Sequence, residues 1–106
     1  KTCEAFVEFG HETVGEKPGT TNGFVHSVGH GLGLNIHERP FSGRTASLDD
    51  KLIPGAVFTI EPGLYYPDAK DTFGCRIEDT LYMDENGEVH IFSSYPYHLV
   101  IEMERR

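Results

Sequence analysis

Apolar and polar positions alternate most regularly in two stretches. Over 56–61, Val57, Thr59 and Glu61 fall on one side and Phe58 and Ile60 on the other, which predicts a strand. Pro54-Gly55 supplies the turn that opens it, and Pro62-Gly63 breaks its pairing. Over 75–83, Cys75, Ile77, Leu81 and Met83 alternate with Arg76, Glu78, Thr80 and Tyr82, predicting one continuous strand. Asp84-Glu85-Asn86-Gly87 then closes a hairpin onto Val89-His90-Ile91-Phe92. Near the start the period changes. Cys3, Phe6, Val7 and Gly10 recur at i, i+3, i+4 and i+7, predicting one short amphipathic helix that stops near Gly10. Turn formers over 15–23, polar residues over 41–51 and the Asp/Lys-rich run 67–71 predict loops. The tail to Arg106 fits helix or strand equally. These elements make an α+β chain with a mostly antiparallel sheet.

Composition narrows the class. The 106 residues, 38% of them hydrophobic, suit a single domain with one small core. A net charge of −8 argues against nucleic acid or anionic lipid as partners, since both call for excess Lys and Arg. No run of about 18 apolar residues suggests a membrane span. The start has no basic-then-apolar order of a signal peptide. Cys3 and Cys75 lie in no C-x-x-C pattern and read as small apolar core positions, so the expected compartment is the reducing cytoplasm. The first residue is Lys, and the chain is expected to be a piece of a longer one.

The unusual segment is Phe24 to Pro40, where Gly29, Gly31 and Gly33 interleave with His26, His30 and His37. His26 and His30 have zincin spacing, but the Glu that should follow the first His is missing, and so many glycines disfavour a helix. Read as extended chain, His26 and His30 share a side. A lone histidine commonly just satisfies a polar corner; three within twelve residues favour a shared role. Glu61 and Glu78 end or interrupt apolar alternation, where a carboxylate is costly unless paired. Glu61 could sit on the solvent face of an edge strand, and Glu78 could pair with Arg76, two residues away on the same face. Together with one histidine, the two glutamates make an N/O donor set suited to Zn, Mn or Co. The Asp68/Asp71 and Asp84/Glu85 pairs and Glu102, Glu104, Arg105 and Arg106 read as solvated charge.

Four segments in order, His26-Ser27-Val28-Gly29-His30-Gly31-Leu32-Gly33-Leu34, His37-Glu38-Arg39-Pro40, Pro54 through Tyr65 and Arg76-Ile77-Glu78-Asp79, resemble the C-terminal half of the pita-bread metallopeptidases. That family holds methionine aminopeptidase, aminopeptidase P, prolidase and the metal-free creatinase, and the first and last segments look like its proline-specific branch. The resemblance implies that 1–106 is the C-terminal portion of a pita-bread catalytic domain whose N-terminal half is absent. It implies an Xaa-Pro dipeptidase or aminopeptidase P with two divalent ions (Mn, Co or Zn), a proline-containing peptide as substrate and a homodimer at full length.

By the same resemblance, His30, Glu61 and Glu78 are metal ligands, with Glu78 bridging, and Glu61 also accepts a proton from water. His37 contacts the substrate carbonyl or the leaving nitrogen, His26 lines the pocket, and Arg76 holds the bridging carboxylate. Two further ligands in the family are aspartates from the preceding half, which Asp49-Asp50 cannot replace from their loop. The chain alone is therefore expected to bind metal weakly, if at all, and to turn nothing over. The competing readings are a non-enzymatic pita-bread module that binds peptide or protein, and a creatinase-like C–N hydrolase that works without metal.

Overall fold

The structure, a computed structural model, describes residues 1–44 and 46–103. Residues 104–106, expected above to be solvated charge, lie outside them. Along the chain run α1 (Thr2–Glu8), β1 (Gly29–Gly31), β2 (Glu38–Ser42), β3 (Val57–Ile60), β4 (Gly63–Tyr66), β5 (Phe73–Arg76), β6 (Asp79–Met83) and β7 (Val89–Ile91). Every strand pair is antiparallel. Five strands form one sheet in the order β2-β1-β3-β6-β7, and β4 and β5 form a second. The α+β reading holds. The helix ends where its apolar period ends, with Gly10 at φ 83° turning the chain away.

Two expected boundaries move. Phe41 and Ser42 are strand rather than loop, because they pair with His30 and Gly29 of β1. The loop over 15–23 closes on a buried glycine: Gly23 exchanges backbone hydrogen bonds with Tyr65, at 2.7 and 3.0 Å.

The larger correction concerns 75–83, which is two strands. Its first part pairs with β4 and its second with β3. Alternation reports which side a residue faces, and it is blind to a change of partner. The break has a local cause on the opposite strand. Pro62 has no N–H to give the ladder, and the chain passes there from β3 in one sheet to β4 in the other. The register nevertheless runs straight across: Ile60 pairs with Asp79 before the gap and Gly63 with Arg76 after it. A single backbone bond, Ile77 N–H to Pro62 O at 3.2 Å, spans the interval. Glu61 therefore stands opposite Glu78 where the two strands change sheets.

The expectation of one closed core is not met. Among the described residues, the buried hydrophobic side chains are Phe24 (3% exposed) and Phe58 (5%). Leu34, Leu48, Phe73, Phe92 and Leu99 are all exposed. The radius of gyration, 16.1 Å, exceeds the about 13 Å expected of a compact domain this long. The apolar residues are present, but two sheets and one short helix do not stack into layers that cover them. Cys75 is likewise exposed, not core, because β5 forms the outer strand of a two-stranded sheet; Cys3 is half-buried.

No regular element follows β7 among the described residues. The tail is instead tied to β6 by Asp79, which accepts hydrogen bonds from Ser93 Oγ and Tyr97 Oη, both at 2.6 Å. Those two bonds, Ser93's first, hold the Asp79 carboxyl below the usual carboxylate range. No helix among the described residues is long and apolar enough to cross a membrane.

Candidate metal centre

The donors of the expected metal set come together. One ligand atom from each of His30, Glu61 and Glu78 lies within 4.8 Å of the other two. His30 sits in the middle of β1, Glu61 just past β3, and Glu78 just before β6, so three separate segments build the cluster. Glu61 is 8% exposed and Glu78 is exposed, where mid-strand burial was expected. The change of sheet at 77–78 lifts Glu78 out of the ladder.

The hydrogen bonding fixes which ring nitrogen of His30 faces the carboxylates. His30 Nδ1 lies 2.9 Å from the Gly31 carbonyl oxygen, which can only accept, so Nδ1 carries the ring proton. Nε2 is thereby the ring nitrogen turned toward the carboxylates, 3.2 Å from Glu61 Oε1. Glu78 adds a second carboxylate directly across the strands, a like-charge arrangement that costs stability unless a cation intervenes. Three converging lone-pair donors of N and O type fit a divalent metal ion. Asp79, the neighbouring acid, is already committed to Ser93 and Tyr97.

Arg76 is placed differently from expectation. Its Nη1 lies 3.2 Å from Glu61 Oε2, so it braces Glu61 and not Glu78. The expected alternative of an Arg76–Glu78 ion pair also fails, because Arg76 is directed across the strand pair. It is held there by Tyr65, whose Oη accepts the Arg76 Nε–H at 2.8 Å. Tyr65 is the residue that sequence reasoning missed. Its ring lies over two glycines: a Cβ on Gly74 would come within 2.7 Å of the ring and one on Gly63 within 2.8 Å of the hydroxyl.

The histidines separate into two groups. His37 is exposed in the turn after β1, its ring centroid 4.3 Å from that of His30. Glu38 closes that turn by accepting the Asn35 N–H at 3.1 Å. His26 does not join them; its ring packs edge-on against Phe24 and Tyr65, at 5.2 and 5.5 Å. Regular extended geometry covers only Gly29–Gly31, with a bulge after His30, so the period-2 argument does not carry back to residue 26. His26 Nδ1 faces the Ser27 carbonyl at 2.6 Å, and its buried Nε2 has no partner among the described residues.

Comparisons with known proteins show the family to which the chain belongs. The model of metallopeptidase family M24 matches residues 2–85, and the chain belongs to that family. It is 42% identical over 78 residues to a "Probable dipeptidase PepE" of Mycobacterium tuberculosis H37Rv, covering 74% of this chain and 19% of that protein. It is 49% identical over 65 residues to the Xaa-Pro dipeptidase of Pyrococcus furiosus, covering 60% and 17%. The crystal structure of the prolidase from Pyrococcus horikoshii OT3 superposes with a TM-score of 0.62 at 36% identity, over 82% of this chain and 23% of that one. The fold is thus part of a pita-bread metallopeptidase, and the chain spans about a fifth of the length of the relatives it matches.

Proposed function

We propose that this chain carries three of the metal ligands of a divalent-metal hydrolase that cleaves Xaa-Pro peptide bonds, as an Xaa-Pro dipeptidase or aminopeptidase P. The observation that carries the reading is the convergence of His30, Glu61 and Glu78 donors within 4.8 Å, with two carboxylates opposed across a break in the ladder. The likeness to an Xaa-Pro dipeptidase and a prolidase supports the substrate class. In this reading residues 1–106 are the C-terminal portion of the catalytic domain, and two aspartates from preceding sequence complete a site for two ions.

His30, Glu61 and Glu78 would hold the metal. The bound cations, Mn, Co or Zn, would supply a water acidic enough to attack and positive charge for the developing oxyanion. Glu61 would also be placed to accept a proton from that water. Arg76 holds the second oxygen of Glu61, which keeps that carboxylate from rotating away. His37, exposed and beside His30, is placed to hydrogen-bond the substrate carbonyl or protonate the leaving proline nitrogen. The test is hydrolysis of Xaa-Pro dipeptides and longer Xaa-Pro peptides by the full-length protein with added Mn, Co or Zn. Metal-dependent cleavage specific to the Xaa-Pro bond is expected; no cleavage under any of these metals would remove the assignment. The 106-residue chain alone is expected to be inactive.

A further inference from the structure

We propose that Thr59 is the positioning residue of this centre, its single hydroxyl fixing the distance between ligands that arrive on different strands; the proposal rests on the metal-ligating reading above. Thr59 is 3% exposed and lies in β3, two residues before Glu61 and so on its side of the strand. Its Oγ1 accepts the His30 backbone N–H at 3.1 Å. A hydroxyl has one proton to donate, and Glu61 Oε1 at 3.2 Å is a nearer acceptor than the His30 carbonyl at 3.5 Å. One side chain thus links the backbone of one ligand to the carboxylate of another. With Arg76 on Oε2, both oxygens of Glu61 have fixed partners, which sets the plane of the carboxylate.

Gly29 permits this contact. A Cβ there would come 1.9 Å from the Thr59 carbonyl oxygen and 3.3 Å from its hydroxyl, so only glycine lets β1 approach β3 closely enough. The branched side chain of Thr59 has few χ1 choices in a strand, which aims the hydroxyl between the two ligands. Serine keeps the hydroxyl, valine keeps the shape, and alanine keeps neither.

The experiment compares Thr59→Val, Thr59→Ser and Thr59→Ala in the full-length protein, reading Co(II) affinity by competition with a chelator, the Co(II) visible spectrum, and amide exchange at His30. In Thr59→Val, Co(II) should bind roughly tenfold more weakly with an altered spectrum, as for lost supporting partners of metal ligands. The His30 amide should exchange faster in the same variant even without metal. Thr59→Ser should restore all three readouts. Wild-type affinity and spectrum in Thr59→Val, or an unchanged His30 amide, overturns the proposal while leaving the metal site standing. Equal weakening in Thr59→Ser does the same. A wild-type protein that takes up no Co(II) overturns the metal site itself and this role with it. Failure of both Thr59→Val and Thr59→Ala to fold would make Thr59 a packing residue and overturn the proposal.

Discussion

Two regions of the molecule each bring three potential metal donors within 4.8 Å: His30, Glu61 and Glu78 at the sheet crossing, and Asp84, Glu88 and His90 on the β6–β7 hairpin. They differ in what the donors already do. At the hairpin, Asp84 accepts the amides of Asn86 and Glu88, both at 2.9 Å, and His90 Nε2 at 2.9 Å. Its oxygens are spent on closing a turn built from one short stretch of chain. At the crossing, one imidazole and two carboxylates face each other from three segments, with Arg76 on Oε2 of Glu61. Proximity of donors is common to both; convergence from three separate segments belongs to one. The hairpin donors serve their own turn, and the crossing is where we propose that metal binds.

The contrast can be broken by substitution, most forcefully at Glu78. In full-length protein, Glu78→Gln should weaken divalent-metal binding by more than about 100-fold, exceeding what supporting partners contribute. It should also leave the metal-free protein slightly more stable, by about 0.5 kcal/mol, because a like-charge cross-strand pair is relieved. Calorimetric titration and urea unfolding read the two effects, and loss of both affinity and stability would contradict the account. Gly29→Ala forces β1 away from β3 and should cost about 3 kcal/mol in unfolding experiments, since backbone cannot yield as a side chain can. Arg76→Lys keeps the charge but not the fork that spans Tyr65 and Glu61, so metal affinity should fall about tenfold. A wild-type affinity there would show that charge alone suffices.

Smallest are the effects at the hairpin, where Asp84→Asn should leave metal affinity unchanged. The hydrogen bond from His90, with the Glu88 and Asn86 amides behind it, holds the Asp84 carboxyl below its ordinary range. A carboxyl depressed in the folded state stabilises the hairpin fully above its unfolded pKa and loses that contribution as pH falls through the folded one. Amide protection over 84–91 should therefore persist through neutral pH and decline only below about pH 4. Decline near pH 6 would point to histidine as the controlling group instead.

Much of this was legible in the chain itself. The helix, β3 and the β6–β7 hairpin follow from period and turn chemistry, and the donor trio follows from carboxylates placed where apolar alternation makes them costly. What was not legible concerns partners. Alternation over 75–83 is unbroken in sequence although the strand leaves one sheet for another, so Glu78 was expected to be half-buried and Arg76 to lie on its face. Cys75 looked like a core residue because its size is right, and nothing local shows that β5 has only one neighbour. Thr59 and Tyr65 were silent for a similar reason. Their hydroxyls matter through Glu61 and Arg76, and a contact across strands has no trace in one-dimensional spacing. The uncovered apolar residues could not be foreseen either, since composition counts what could form a core and not the layers available to close it.

The most direct measurement is an anomalous-scattering map of crystals of the full-length protein grown with Mn or Zn. The account predicts metal peaks at about 2.0–2.2 Å from His30 Nε2 and from oxygens of Glu61 and Glu78, with none at Asp84, Glu88 and His90. Metal at the hairpin, or full occupancy elsewhere with these three side chains turned away, would contradict it.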